Sequence, residues 1–142
     1  MNQETERAAV DLRLSVMRLA RRLRAEREPG DLTLGRLSVL GHLERDGPAT
    51  ASALANAERI TPQSMARIVQ HLLGAGLVER SQDPADRRAS LLRITEAGRE
   101  LVLQDRRQRE AWLSEALATQ LTEIERDLLM LAARLLDRLA TS

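Results

Sequence analysis

The sequence predicts a mostly α-helical chain with one small β-hairpin, three short helices ahead of the hairpin and longer helices at both ends. Three observations carry that prediction. The first is a hairpin signal: the apolar runs Leu77-Val78 and Leu91-Leu92-Arg93-Ile94 flank the turn Asp83-Pro84-Ala85-Asp86-Arg87-Arg88, in which Pro and Asp both favour chain reversal. The second is the pair Thr61-Pro62, a helix cap followed by proline at the first helical position, where its missing N–H is not needed. The third is apolar residues recurring at three- and four-residue steps in both terminal thirds, the spacing of helices packed on helices.

Composition narrows the classes that remain. At 142 residues the chain fits one domain, and with no Phe, no Tyr and only Trp112 its core must be aliphatic. The absence of Cys excludes disulfides, thiolate metal sites and cysteine redox switches. No apolar run approaches the length of a membrane span, and the polar start Met1-Asn2-Gln3-Glu4 is unlike a signal peptide. A cytoplasmic protein without a cofactor is expected. The net charge is +1, but residues 59–93 hold six Arg against three acids, so the positive surplus surrounds the hairpin. Every basic residue is Arg, which suits forked contacts to phosphate.

In order along the chain, residues 5–27 read as a helix with two opposed apolar stripes, Leu12, Val16, Leu19 and Leu23 on one side and Val10, Leu14 and Met17 on the other. Such a helix is expected to be covered on two sides. Arg21 falls within the second stripe, where snorkelling or pairing with an acid is favoured over holding an anionic ligand. Glu28-Pro29-Gly30-Asp31 ends this helix. Thr33 caps a second, running to about Arg45 and closed by Asp46-Gly47-Pro48. His42 shares a polar arc with Ser38 and Arg45 and reads as solvated. Thr50 to Ala57 reads as a short Ala-rich helix.

The helix that follows Thr61 runs to about Leu73, with Gly74 and Gly76 as its punctuation. Met65, Ile68, Val69, Leu72 and Leu73 share one face, while Gln63, Arg67 and Gln70 define the other, with Ser64 and His71 at its edge. No acid occurs between Thr61 and Leu73, whereas a merely solvated face would usually include Glu. A short helix, the tight connection Glu58-Arg59-Ile60 and this second helix make a helix-turn-helix. With the hairpin added, the order is that of a winged helix-turn-helix. Each part suits DNA: Gln and Arg side chains pair with base edges in the major groove. An Arg at the hairpin tip suits a narrow minor groove, and the helix N-terminus with Thr61 and Pro62 suits a phosphate.

The runs Gly76-Leu77-Val78-Glu79-Arg80, Asp83-Pro84-Ala85-Asp86-Arg87-Arg88 and Leu92-Arg93-Ile94-Thr95-Glu96-Ala97-Gly98-Arg99-Glu100-Leu101 resemble the MarR family of bacterial transcription regulators. The resemblance extends over essentially the whole chain in length and element order. It implies a cytoplasmic homodimer that binds a pseudo-palindromic operator in double-stranded DNA, most often as a repressor. It places Arg87 in the minor groove, Asp86 in the pair that braces it and Arg88 beside them. It also implies release by a small molecule, with the pocket expected where the first helix meets the start of the long helix after Thr95, and Met17 and Arg21 as candidate lining. Family branches that sense oxidants through Cys, or metals through His and Cys clusters, do not suit a chain with no Cys and two separated His.

Thr95 is expected to cap a long helix whose middle, Gln104 to Glu110, holds no apolar residue and is expected to be exposed. A last helix places Leu121, Ile124, Leu128, Leu131 and Leu135 on one seam. Together with Leu12, Leu19 and Trp112 they are the candidate dimerisation residues, and packing within one chain is the less favoured reading. One domain spanning 1–142 is therefore expected, with the winged helix-turn-helix at 33–95 and a helical dimerisation region at 1–30 and 96–142. No catalytic constellation, metal-ligand spacing or phosphate-binding glycine loop is present. The alternative from another class is a winged helix used for protein–protein contacts without DNA, and the outward Gln63, Arg67 and Gln70 favour DNA over it.

Overall fold

A computed structural model of the chain describes residues 2–26, 32–82, 84–86 and 88–142. Among the described residues eight elements follow one another: α1 (Gln3–Ala25), α2 (Leu34–Asp46), α3 (Ala51–Glu58), α4 (Pro62–Gly74), β1 (Val78–Gln82), β2 (Ser90–Ile94), α5 (Glu96–Gln120) and α6 (Glu123–Ala140). They fall into two compact units, Glu28–Arg106 and Met1–Arg27 with Arg107–Ser142. The breaker expected at Glu28-Pro29-Gly30-Asp31 lies outside the described residues.

The first of these units is built on a single aliphatic core. Leu40 and Leu43 of α2, Leu54 of α3, Met65 and Leu72 of α4 and Leu92 of β2 are its largest fully buried side chains. Val102 of α5 joins the same cluster. Burying a residue of this size stabilises by about 1.5–3 kcal/mol, so this set outweighs any surface pair in the unit. Each helix starts where a hydroxyl can cap it: Thr33 accepts from Arg36 N–H, Thr50 from Ala53 N–H and Thr61 from Ser64 N–H.

The hairpin is antiparallel, with Val78 opposite Ile94, Arg80 opposite Leu92 and Gln82 opposite Ser90. Alternation puts Val78, Leu92 and Ile94 on the core side. The hairpin has a short third partner: Ala49, in the connection between α2 and α3, exchanges both backbone hydrogen bonds with Leu92, at 3.1 and 2.8 Å. Pro48 and Gly47 conceal this pairing in the sequence because they read only as a stop.

The ends of α3 and α4 use the same closure. After α4, Gly76 adopts φ 72°, its N–H reaches Leu73 O, and Leu77 N–H reaches Leu72 O. Gly76 is therefore the capping glycine, whereas Gly74 is simply the last helical residue. After α3 the same pattern uses Arg59 at φ 54°, with its N–H on Asn56 O and Ile60 N–H on Ala55 O. A non-glycine residue there costs about 1–2 kcal/mol, and nothing local to Glu58-Arg59-Ile60 marks a left-handed residue.

Two expectations about polar residues change. His42 is only partly exposed, its side chain 21% accessible and 3.6 Å from Asp46 Oδ2, because α2 is covered on more than one side. The polar middle of α5 is not uniformly solvated: Asp105, Arg106, Gln108 and Arg109 are half-buried. Arg106 Nη2 donates to Glu44 Oε2 of α2 at 3.0 Å, so a charge pair supplies the cover that apolar packing supplies one turn earlier.

In the other unit no residue of α1 or α6 is buried within the single chain. Along α6, Ile124, Leu128, Leu131 and Leu135 are 73%, 60%, 60% and 55% exposed, so one chain does not cover that seam. On α1, Leu12, Leu19 and Met17 are also exposed, and Leu14 and Leu23, one from each stripe, are half-buried. Trp112 and Leu121 are partly covered. The Arg22 guanidinium lies 4.5 Å from the centre of the Trp112 ring and pairs with Glu26, a cation–π contact that joins α1 to α5.

Candidate nucleic-acid interface

The reading surface starts from the turn between α3 and α4. Arg59 reverses the chain within one residue, so α4 begins after only Ile60 and Thr61. Burial of Met65, Val69 and Leu72 then fixes the rotation of α4 about its axis. Because side chains three and four apart share a face, that rotation turns Gln63, Arg67 and Gln70 outward, and all three are exposed. Pro62 and Ser64 are exposed at the start of the helix, and His71 is half-buried at the edge. Ala66 lies on the same outward arc; a lone Ala carries no chemical signal in a sequence, and only the helix rotation reveals it.

The N-terminal end of α4 has a defined donor arrangement. Thr61 Oγ1 accepts the Ser64 N–H at 3.1 Å and donates its own proton to Ser64 Oγ at 3.0 Å. The Thr61 hydroxyl is thereby committed inside the protein, and the Ser64 proton is the one that can be offered outward. The nearest acid on the preceding helix is also engaged, since Glu58 Oε2 accepts from Ser38 Oγ at 2.6 Å. The unit Glu28–Arg106 carries ten Arg against eleven acids in all. Attraction for an anion therefore comes from where the charges sit, on the acid-free outer face of α4 and on the hairpin, and not from bulk charge.

At the hairpin turn the described residues are Pro84, Ala85, Asp86 and Arg88, all exposed. Asp86 Oδ1 accepts the backbone N–H of Arg88 at 2.9 Å, the local bond by which Asp favours turns, and Ala89 N–H closes onto Asp86 O. Arg87 and Asp83, the other members of the expected tip, lie outside the described residues. Among the described residues no cluster of three or more His, Asp or Glu is placed to hold a metal. No helix among them is long and apolar enough to cross a membrane.

The geometry is that of a winged helix-turn-helix: three helices, a hairpin, and a polar helix face held outward by a buried one. The sequence profile of the MarR family matches residues 32–90, which span α2 to the start of β2. An HTH-type transcriptional regulator of Mycobacterium tuberculosis is 45% identical over 130 residues, covering 92% of this chain and 90% of the relative. The chain belongs to the MarR family. The crystal structure of a putative transcriptional regulator of Pseudomonas aeruginosa superposes with a TM-score of 0.90 at 35% identity, covering 100% of this chain and 99% of that one. A MarR family protein from Bacillus stearothermophilus superposes with a TM-score of 0.86 at 22% identity, over 100% and 99% of the two chains, which is a likeness of fold. This MarR protein is accordingly a DNA-binding transcription regulator, as its relatives are named.

Proposed function

We propose that this MarR protein acts in the cytoplasm as a homodimer that represses transcription from a pseudo-palindromic operator and is released by a small molecule. The observation that carries the reading is the outward face of α4, where Gln63, Arg67 and Gln70 are exposed with no acid among them. Arg67 reads a guanine edge by a forked pair of hydrogen bonds and Gln63 or Gln70 an adenine. Ser64, held by Thr61, donates to a phosphate at the positive end of α4. Arg88 and Arg87 bring charge from the wing to the minor groove, with Asp86 shaping the turn.

The exposed seam of α6 and the outward stripes of α1 supply the dimer interface, with Leu12, Leu19, Trp112, Leu121, Ile124, Leu128, Leu131 and Leu135 as its candidate residues. So much aliphatic surface left bare on one chain favours burial against a second copy. Met17 and Arg21, both exposed on α1, remain the candidate effector contacts.

A mobility-shift assay on the DNA upstream of the protein's own reading frame tests the proposal. A shifted species that resists excess random DNA and protects two inverted half-sites is the expected result. Binding that random DNA competes away equally would sink it, and would favour a winged helix that contacts protein in place of DNA.

A further inference from the structure

The outward face of α4 has two unlike edges. At about 100° per residue, Arg67 and Gln70 fall within about 40° of Gln63 and form the middle of the arc with it. Ser64 and His71 fall about 80–100° to one side, a hydrogen-bonding edge. Ala66 falls about 60° to the other side, with Leu73 and Pro62 beyond it at about 80–100°. Pro62 and Ala66 are exposed, Leu73 is half-buried, and Val69, further round, is buried in the core. Apolar surface therefore continues from the core along this edge of α4 and reaches the Ala66 methyl, which is three residues from Gln63 and four from Gln70 and so borders both.

We infer that Ala66 is a specificity-determining residue, and that its methyl packs against the C5-methyl of a thymine beside the bases that Gln63 and Gln70 address. This rests on the reading of operator bases by α4 proposed above and adds an apolar contact to its hydrogen bonds. The groups that a major groove presents are donors and acceptors with one apolar exception, the thymine C5-methyl. That exception is the complement an exposed alanine edge requires. A glutamine paired with adenine N6 and N7 also demands an A·T pair, so a thymine methyl lies on the same rung. The neighbouring Gln and Arg side chains swing on several rotatable bonds, whereas the Ala66 methyl goes where the backbone of α4 puts it. Holding it against DNA therefore costs no side-chain entropy. Losing one buried methyl contact corresponds to about a fourfold change in affinity.

The test replaces each thymine of one protected half-site, singly, by uracil, which lacks only the methyl. Fluorescence anisotropy then compares wild type with Ala66→Gly on every duplex. Wild type should lose about fourfold at one or two positions and bind the other uracil duplexes as it binds the parent operator. Ala66→Gly should bind thymine and uracil alike at those same positions. The ratio is the readout, because a glycine that merely loosens the helix weakens all duplexes by one factor and leaves the ratio as it was. Uracil tolerated by wild type at every position would overturn the inference, and so would a wild-type ratio in Ala66→Gly. Should the glycine variant not fold, Ala66→Gln decides, since it keeps a strong helix former and replaces the methyl with a polar chain. A wild-type thymine-to-uracil ratio in that variant overturns the inference too. If wild type binds the operator no better than random DNA, base reading by α4 fails first and the methyl contact falls with it.

Discussion

Arg67 and Ser64 sit on the same helix face but do different work, and mutation separates them. Arg67 is exposed at the centre of the outward arc of α4, so Arg67→Ala should cost about 1–3 kcal/mol on the operator and much less on random DNA. Competition titrations with both duplexes check this, and an equal loss on both would make Arg67 a backbone contact. Ser64→Ala should weaken both duplexes alike, because a phosphate carries no sequence information. At the wing, Arg87→Ala should leave thermal stability unchanged and lower the slope of log K against log salt by about 0.9 if one phosphate contact is lost. An unchanged slope and affinity would remove Arg87 from the interface.

At the scale of elements, the close approach of α5 to the hairpin root is the most sensitive joint. A methyl at residue 98 would meet the Leu77 carbonyl, which is backbone and cannot swing aside. Gly98→Ala should therefore destabilise the fold by about 1–3 kcal/mol or more, the range for overpacking, as read by chemical denaturation. The start of α6 offers a pH-dependent counterpart. Thr122 and Glu125 form a reciprocal capping box, and the backbone N–H and hydroxyl of Thr122 hold the Glu125 carboxyl below its ordinary pKa. A carboxyl whose folded pKa is depressed adds stability that is present above its unfolded pKa and is lost as pH falls through the folded one. Acid melts of the wild type should show that loss, and Glu125→Gln should flatten it. Melts that superpose would mean the box does not act through charge.

For the whole molecule, the exposed α6 seam is the decisive feature. Leu128 is 60% exposed in one chain, so a Leu128→Asp chain with no partner would lose little stability. In a dimer the same substitution buries an unpaired charge at a cost of several kcal/mol. Analytical ultracentrifugation should find the variant monomeric or unfolded, with operator binding lost in parallel, since two linked heads bind far more tightly than one. A variant that stays dimeric and bound would move the interface elsewhere.

The sequence by itself determined every feature that rests on local chemistry. Thr33, Thr50, Thr61 and Thr95 announce helix starts because a hydroxyl before an apolar period satisfies orphan N–H groups. The apolar spacing of α4 already specified which side chains would face outward, since its period leaves one choice of buried face. Tertiary structure decided what depends on partners distant in sequence. Arg59 in a left-handed turn, the Ala49 bridge to Leu92 and the pairing of Arg106 with Glu44 have no local signature. An Arg at a helix end, an Ala after Pro, and a charged residue in a polar run each read as solvent-facing until the chain folds. Only then does the residue 62 positions away supply the carboxylate that pairs with the half-buried Arg106.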